Sequence, residues 1–156
     1  MEFHKIGIAA DHAGKELKQE IFSQLESMDL EVVDYGVSVQ EKKSVDYPDY
    51  SRSVAEAVAR KKLQGAIAVC GTGIGMAMTA NKFPGVRAVC AWDEYSTRMA
   101  RMHNNANVLC LGGRTLNYYR AIELVKIWLE TPFAGDRHAA RLDKIKSIED
   151  SFFRFD

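Results

Sequence analysis

Short apolar, β-branched runs alternate along this chain with longer stretches in which apolar residues recur every three or four positions. The runs are KIGIAA from Lys5, EVVDYG from Glu31, AIAVCG from Ala66, RAVCAW from Arg87 and NVLCLGG from Asn107, each of strand length and composition. Between the first two, Leu17, Ile21, Leu25 and Met28 mark one helical face, and Val54, Ala57 and Val58 mark another before the third run. Strands alternating with helices predict an α/β fold. The expected architecture is a single-domain, Rossmann-like three-layer sandwich on a five-stranded parallel sheet, occupying residues 1–156. The polar break SVQEKKSVDYPDYS, residues 38–51, reads as a long surface loop that can border a site. A last stripe, Leu142, Ile145, Ile148, Phe152 and Phe155, predicts a C-terminal helix over 136–156 whose apolar side needs a cover.

Composition narrows the function classes. The chain has 156 residues and is 47% apolar, enough for one substantial core. Its 21 basic side chains balance 21 acidic ones, so no overall field draws nucleic acid or a membrane surface, and any anion must be held locally. No apolar run reaches membrane-spanning length and the first residues lack the pattern of a signal peptide, so the expected location is cytoplasmic. Cys70, Cys90 and Cys110 are odd in number and scattered in apolar runs, unlike a secreted disulfide framework; they are expected reduced. Neither CxxC, HxH nor HExxH spacing occurs, and no metal site is expected.

In a parallel sheet ligands collect beyond the carboxyl ends of the strands. The residues following the runs there are Asp11-His12, Cys70 to Gly75, Asp93-Glu94 and Gly112-Gly113-Arg114, while His103-Asn104 lies just before the fifth run. Gly71, Gly73 and Gly75 permit positive φ and close approach, so consecutive N–H groups can converge on an anionic oxygen at a helix start. The same electropositive setting would favour the thiolate of Cys70, making it a usable base or nucleophile. The competing reading is a buried strand cysteine followed by a tight turn, and for Cys90 and Cys110 burial is the preferred reading. GTGIG is neither the GxGxxG dinucleotide fingerprint nor a P-loop. Arg137 and Arg141, four apart, can clamp a phosphate from one helix face, or can form a solvated face with Asp136 and Asp143. His12 and His103 fall where a structural and a catalytic histidine are equally at home, whereas His4 reads as a surface residue.

DHAG at 11–14, DYPDY at 46–50, CGTGIG at 70–75, ANKFPGVRA at 80–88, HNNANVLCLGGR at 103–114 and DRHAARL at 136–142 together resemble ribose-5-phosphate isomerase type B. The resemblance runs nearly end to end; the wider family includes isomerases of galactose 6-phosphate and allose 6-phosphate. It implies an aldose–ketose isomerase of the pentose phosphate pathway that works through an enediolate. Cys70 then corresponds to the base at C2. Thr72 and the loop of Gly71, Gly73, Ile74 and Gly75 correspond to the anion hole, and His103 to the residue assisting ring opening. Asp11 and Asn104 match groups on sugar hydroxyls; His12, Arg114, Arg137 and Arg141 match the phosphate-binding and substrate-contacting set, and Tyr47 a pocket wall. The resemblance implies no metal or organic cofactor. It implies a homodimer, or a dimer of dimers, whose C-terminal helix reaches the partner subunit and carries Arg137 and Arg141 into its pocket. One departure is Gly135-Asp136-Arg137-His138, where many relatives have Gly-Gly-Arg-His; Asp136 is expected as a helix N-cap. Two other functions fit the same residues less fully: a non-catalytic sugar-phosphate sensor, which needs no base, and a cysteine hydrolase pairing Cys70 with His103.

Overall fold

The computed structural model describes residues 2–152. Its strands are β1 (Lys5–Ala10), β2 (Glu31–Asp34), β3 (Gly65–Cys70), β4 (Ala88–Cys90) and β5 (Val108–Gly112), and its helices are α1 (Lys15–Leu25), α2 (Tyr47–Ala59), α3 (Ile74–Ala80), α4 (Glu94–Asn104), α5 (Tyr118–Glu130) and α6 (Arg137–Phe152). All strand pairs are parallel, in the order β2-β1-β3-β5-β4. The chain leaves β1 towards one edge of the sheet and β3 towards the other, which opens a crevice at the carboxyl ends of these two neighbours.

Alternation along the central strands sorts side chains into two cores. Ile67 and Val69 of β3, with Leu109 and Leu111 of β5, face α1 and α5, where Leu17, Ile21, Leu25, Leu124 and Trp128 are buried. On the other face Ala66, Ala68 and Cys70 of β3, with Val108 and Cys110 of β5, meet Val54, Ala57 and Val58 of α2 and Met76 of α3. This is the three-layer arrangement the pattern predicts, and small residues on the second face let α2 and α3 approach closely.

Three local expectations need correction. Helix α1 ends at Leu25, so Met28 lies in the following turn, although it still packs on the core. The loop expected over 38–51 is shorter, because α2 begins at Tyr47 with Pro48 in its first turn, where a missing N–H costs no helical hydrogen bond. Asp136 does not act as a side-chain N-cap: its backbone is left-handed at φ 44°, and among the described residues no N–H of α6 donates to its carboxylate.

Candidate active site

The loop after β1 is built around Asp11. This buried carboxylate accepts from the N–H groups of Ala13 (2.9 Å) and Gly14 (3.1 Å), which turns the chain into α1. His12 then projects beside the 38–46 loop, its Nδ1 3.1 Å from both the N and the O of Val45 and its Nε2 3.4 Å from the Ser44 hydroxyl. That loop therefore borders the site. Tyr47, at the start of α2, lays its ring against Gly75: a Cβ there would sit 2.7 Å from the ring, so any larger residue would push the ring aside.

Cys70 ends β3, 4% exposed, and its sulfur accepts the Gly73 N–H at 3.2 Å. Gly73 holds φ 80°, a left-handed conformation open to glycine at little cost, and caps α3. Ile74 N–H donates to the Thr72 hydroxyl at 3.3 Å. The neighbouring β5 loop is stitched to this one, with Gly113 N–H on the Cys70 carbonyl (2.7 Å) and Arg114 N–H on that of Gly71 (3.0 Å). Arg114 runs along Gly71, its Cδ 3.5 Å from where a Cβ would be. Asp11, His12, Tyr47, Cys70, Gly71, Thr72, Gly73, Ile74, Gly75 and Arg114 thus gather at the crevice between β1, β3 and β5.

His103, Asn104, Arg137 and Arg141 are elsewhere. His103 and Asn104 end α4, which returns to the amino edge of the sheet before β5 starts. Cys70 pairs with Gly112 at the far end of β5, so roughly 13 Å of strand separates the two levels. At the amino edge the His103 ring stacks on His138, centroids 4.1 Å apart and 9° from parallel, and Arg141 Nη1 lies 3.5 Å from His138 Nδ1. His138 is buried, and its pKa is pushed down by that burial first and then by His103, Arg137 and Arg141, against a smaller opposing effect of Asp136. Within one chain the two groups of residues therefore stand apart at opposite ends of the sheet, and the Cys70–His103 pair a hydrolase would need is not formed.

Two residues escaped the sequence reading. His138 sits in the DRHAARL stretch, where spacing pointed only at the arginines. Cys90, at the end of β4, is half-buried instead of fully buried, and its thiol donates to the Thr72 carbonyl at 3.3 Å. No spacing links residues 72 and 90. Cys110 is fully buried as expected, and desolvation holds its thiol well above the ordinary range.

A doubly wound sheet with a glycine-rich loop and a cysteine at its switch point defines an α/β domain of the kind that binds small ligands beyond the carboxyl ends of its strands. The model of the Ribose/Galactose Isomerase family matches residues 6–145, and the chain belongs to that family. It is 41% identical to ribose-5-phosphate isomerase B of Escherichia coli K12 over 93% of this chain and 96% of that protein. The structure of the Clostridium thermocellum ribose-5-phosphate isomerase B superposes with a TM-score of 0.91 at 44% identity, covering 95% of this chain and 99% of that one. The Mycoplasma genitalium ribose-5-phosphate isomerase B, solved with bound ribulose 5-phosphate, superposes with a TM-score of 0.89 at 39% identity, covering 94% of this chain and 97% of that one.

Proposed function

We propose that this chain interconverts ribose 5-phosphate and ribulose 5-phosphate, as an enzyme of the pentose phosphate pathway, with Cys70 as the base. The observation that carries the reading is the Cys70 sulfur at the end of β3, directly before the GTGIG loop and accepting the Gly73 N–H at 3.2 Å. A thiolate there can take the C2 proton of the aldose. The charge then moves onto the enediolate oxygens, which the loop N–H groups of residues 71–75 can receive. As the proton returns to C1, the O2 hydroxyl gives up its proton and O1 gains one, which completes the isomerisation. Asp11 and Asn104 would hold sugar hydroxyls, His12 and Arg114 the phosphate side, and Tyr47 a wall.

His103, Asn104, Arg137 and Arg141 lie at the opposite edge of the chain, so the reading requires a second copy to supply them. The exposed stripe of α6 supports such a partner: Ile145, Ile148 and Phe152 are 44%, 61% and 82% exposed, and Ile74 and Met78 beside the loop are exposed too. Phe155 lies outside the described residues. The helix also has a foothold on its own chain, where Glu149 accepts the Gly85 N–H at 3.0 Å. The three free thiols suit a reducing cytoplasm; no helix among the described residues is long and apolar enough to cross a membrane.

The test is NMR of ribose 5-phosphate with the protein in deuterated water, with galactose 6-phosphate and allose 6-phosphate as competitors, since the family description covers galactose as well as ribose. Ribulose 5-phosphate should form with deuterium entering at the migrating position. Cys70→Ala should lose turnover by about 10²- to 10⁴-fold, the usual contribution of a positioned acid–base group, while binding survives. Undiminished turnover in Cys70→Ala would remove the thiol from the mechanism. Binding without turnover in the unmodified protein would favour the sensor reading.

A further inference from the structure

We propose that Cys90 is a positioning residue for the Cys70 base, anchoring the Thr72–Gly73 peptide so that its N–H stays on the Cys70 sulfur. The inference rests on the reading of Cys70 given above. A trans peptide carries its C=O and N–H on opposite sides, and here each side meets a cysteine. The Thr72 carbonyl accepts the Cys90 thiol at 3.3 Å, and the Gly73 N–H donates to Cys70 Sγ at 3.2 Å. Gly73, at φ 80°, is the residue at which this peptide could turn over most cheaply. A flipped peptide would aim a carbonyl oxygen at Cys70 and remove a donor from the anion loop. Cys90 opposes that flip twice. Its sulfur fills the space beside Gly73, 2.8 Å from where a Cβ would stand, and its S–H gives the carbonyl a partner on the far side.

The donor role requires a protonated thiol. Burial pushes the Cys90 pKa up to about 11, and the neighbouring Cys70 thiol adds to the shift. Across the β4–β5 pair stands the Cys110 thiol, itself held protonated by burial. The Arg114 guanidinium runs along Gly71, at the other end of the loop. Cys90 thus remains a protonated hydrogen-bond donor at neutral pH.

The experiment compares Cys90→Ala, which removes both contact and donor, with Cys90→Ser, which retains a donor in a smaller side chain. Both replacements shrink the residue and relieve any crowding. For each, kcat and KM are measured with ribose 5-phosphate. Independently, the pH profile of Cys70 alkylation by iodoacetamide is followed by peptide mass spectrometry. Cys90→Ala should lower kcat by about three- to tenfold, the worth of one hydrogen bond, leave KM within about twofold, and move the midpoint of the alkylation profile to higher pH. Cys90→Ser should stay near the unmodified protein in both readouts. A Cys90→Ala protein with unchanged kcat and alkylation profile would overturn the inference, and so would a serine variant as impaired as the alanine one. The alkylation arm needs no turnover, so loss of the base reading through an active Cys70→Ala protein stays distinct from loss of the Cys90 anchor.

Discussion

Cys70 and His103 stand at opposite levels of the sheet, and their proposed tasks can be separated by what each leaves undone. If His103 serves ring opening, His103→Ala should cut conversion of ribose 5-phosphate by about 10²-fold. Ribulose 5-phosphate has no furanose ring to open, so enzyme-catalysed exchange of its C1 proton with solvent deuterium should persist within a few fold. Cys70→Ala should lose that exchange as well. Equal loss of conversion and exchange in His103→Ala would place the imidazole in the proton transfer itself. The stack on His138 bears on this role, because a buried neighbour whose pKa is lowered by burial and by surrounding cations stays neutral and does not compete for the same proton.

At the level of elements, the site loops are held by close approach of backbone to backbone. Gly14, last residue of the DHAG stretch, starts α1 directly over β3, and a Cβ there would come within 2.5 Å of the Val69 carbonyl oxygen. Backbone cannot yield as a flexible side chain can. Gly14→Ala should therefore destabilise by about 1–3 kcal/mol, as overpacking does, lowering Tm by roughly 2–12 °C in a chain of this size. Gly71→Ala is the contrast, since its Cβ would meet Arg114 Cδ at an ordinary 3.5 Å; its melting curve should overlay that of the unmodified protein. Equal melts for the two variants would mean that α1 can back away from β3 at no cost. Helix α4 links the two levels: the Asp93 carboxylate caps it at the carboxyl edge through Ser96 N–H (2.8 Å), and His103 is presented at its other end.

At the scale of the whole molecule, the proposed function needs residues from both ends of the sheet, and so predicts that two copies share a site. Chains carrying Cys70→Ala and Arg137→Ala/Arg141→Ala should each be inactive alone. When co-expressed they should recover about a quarter of normal turnover, because half of randomly formed dimers are mixed and each of those has one intact site of two. Since His103 shares the amino edge with the arginines, Cys70→Ala with His103→Ala should complement in the same way. Mixed dimers verified by mass spectrometry but lacking recovered turnover would sink the shared site and return α6 to its own subunit.

The alternation of apolar runs and helical stripes was enough to read the layered parallel sheet, because burial on both faces leaves a local imprint on the central strands β1, β3 and β5. Sequence also sufficed for the glycine-rich loop and for Asp11, His12, Cys70 and Arg114, since the carboxyl-end rule turns position after a strand into position in space. It did not reveal that His103 stands at the opposite end of the sheet from Cys70, because position along the sheet depends on where α4 ends relative to β5. Nor did it reveal the contact of Cys90 with Thr72, or the stack of His103 on His138. These join residues separated by 18 and 35 positions, and only strand order and helix packing bring such distant parts of the chain together.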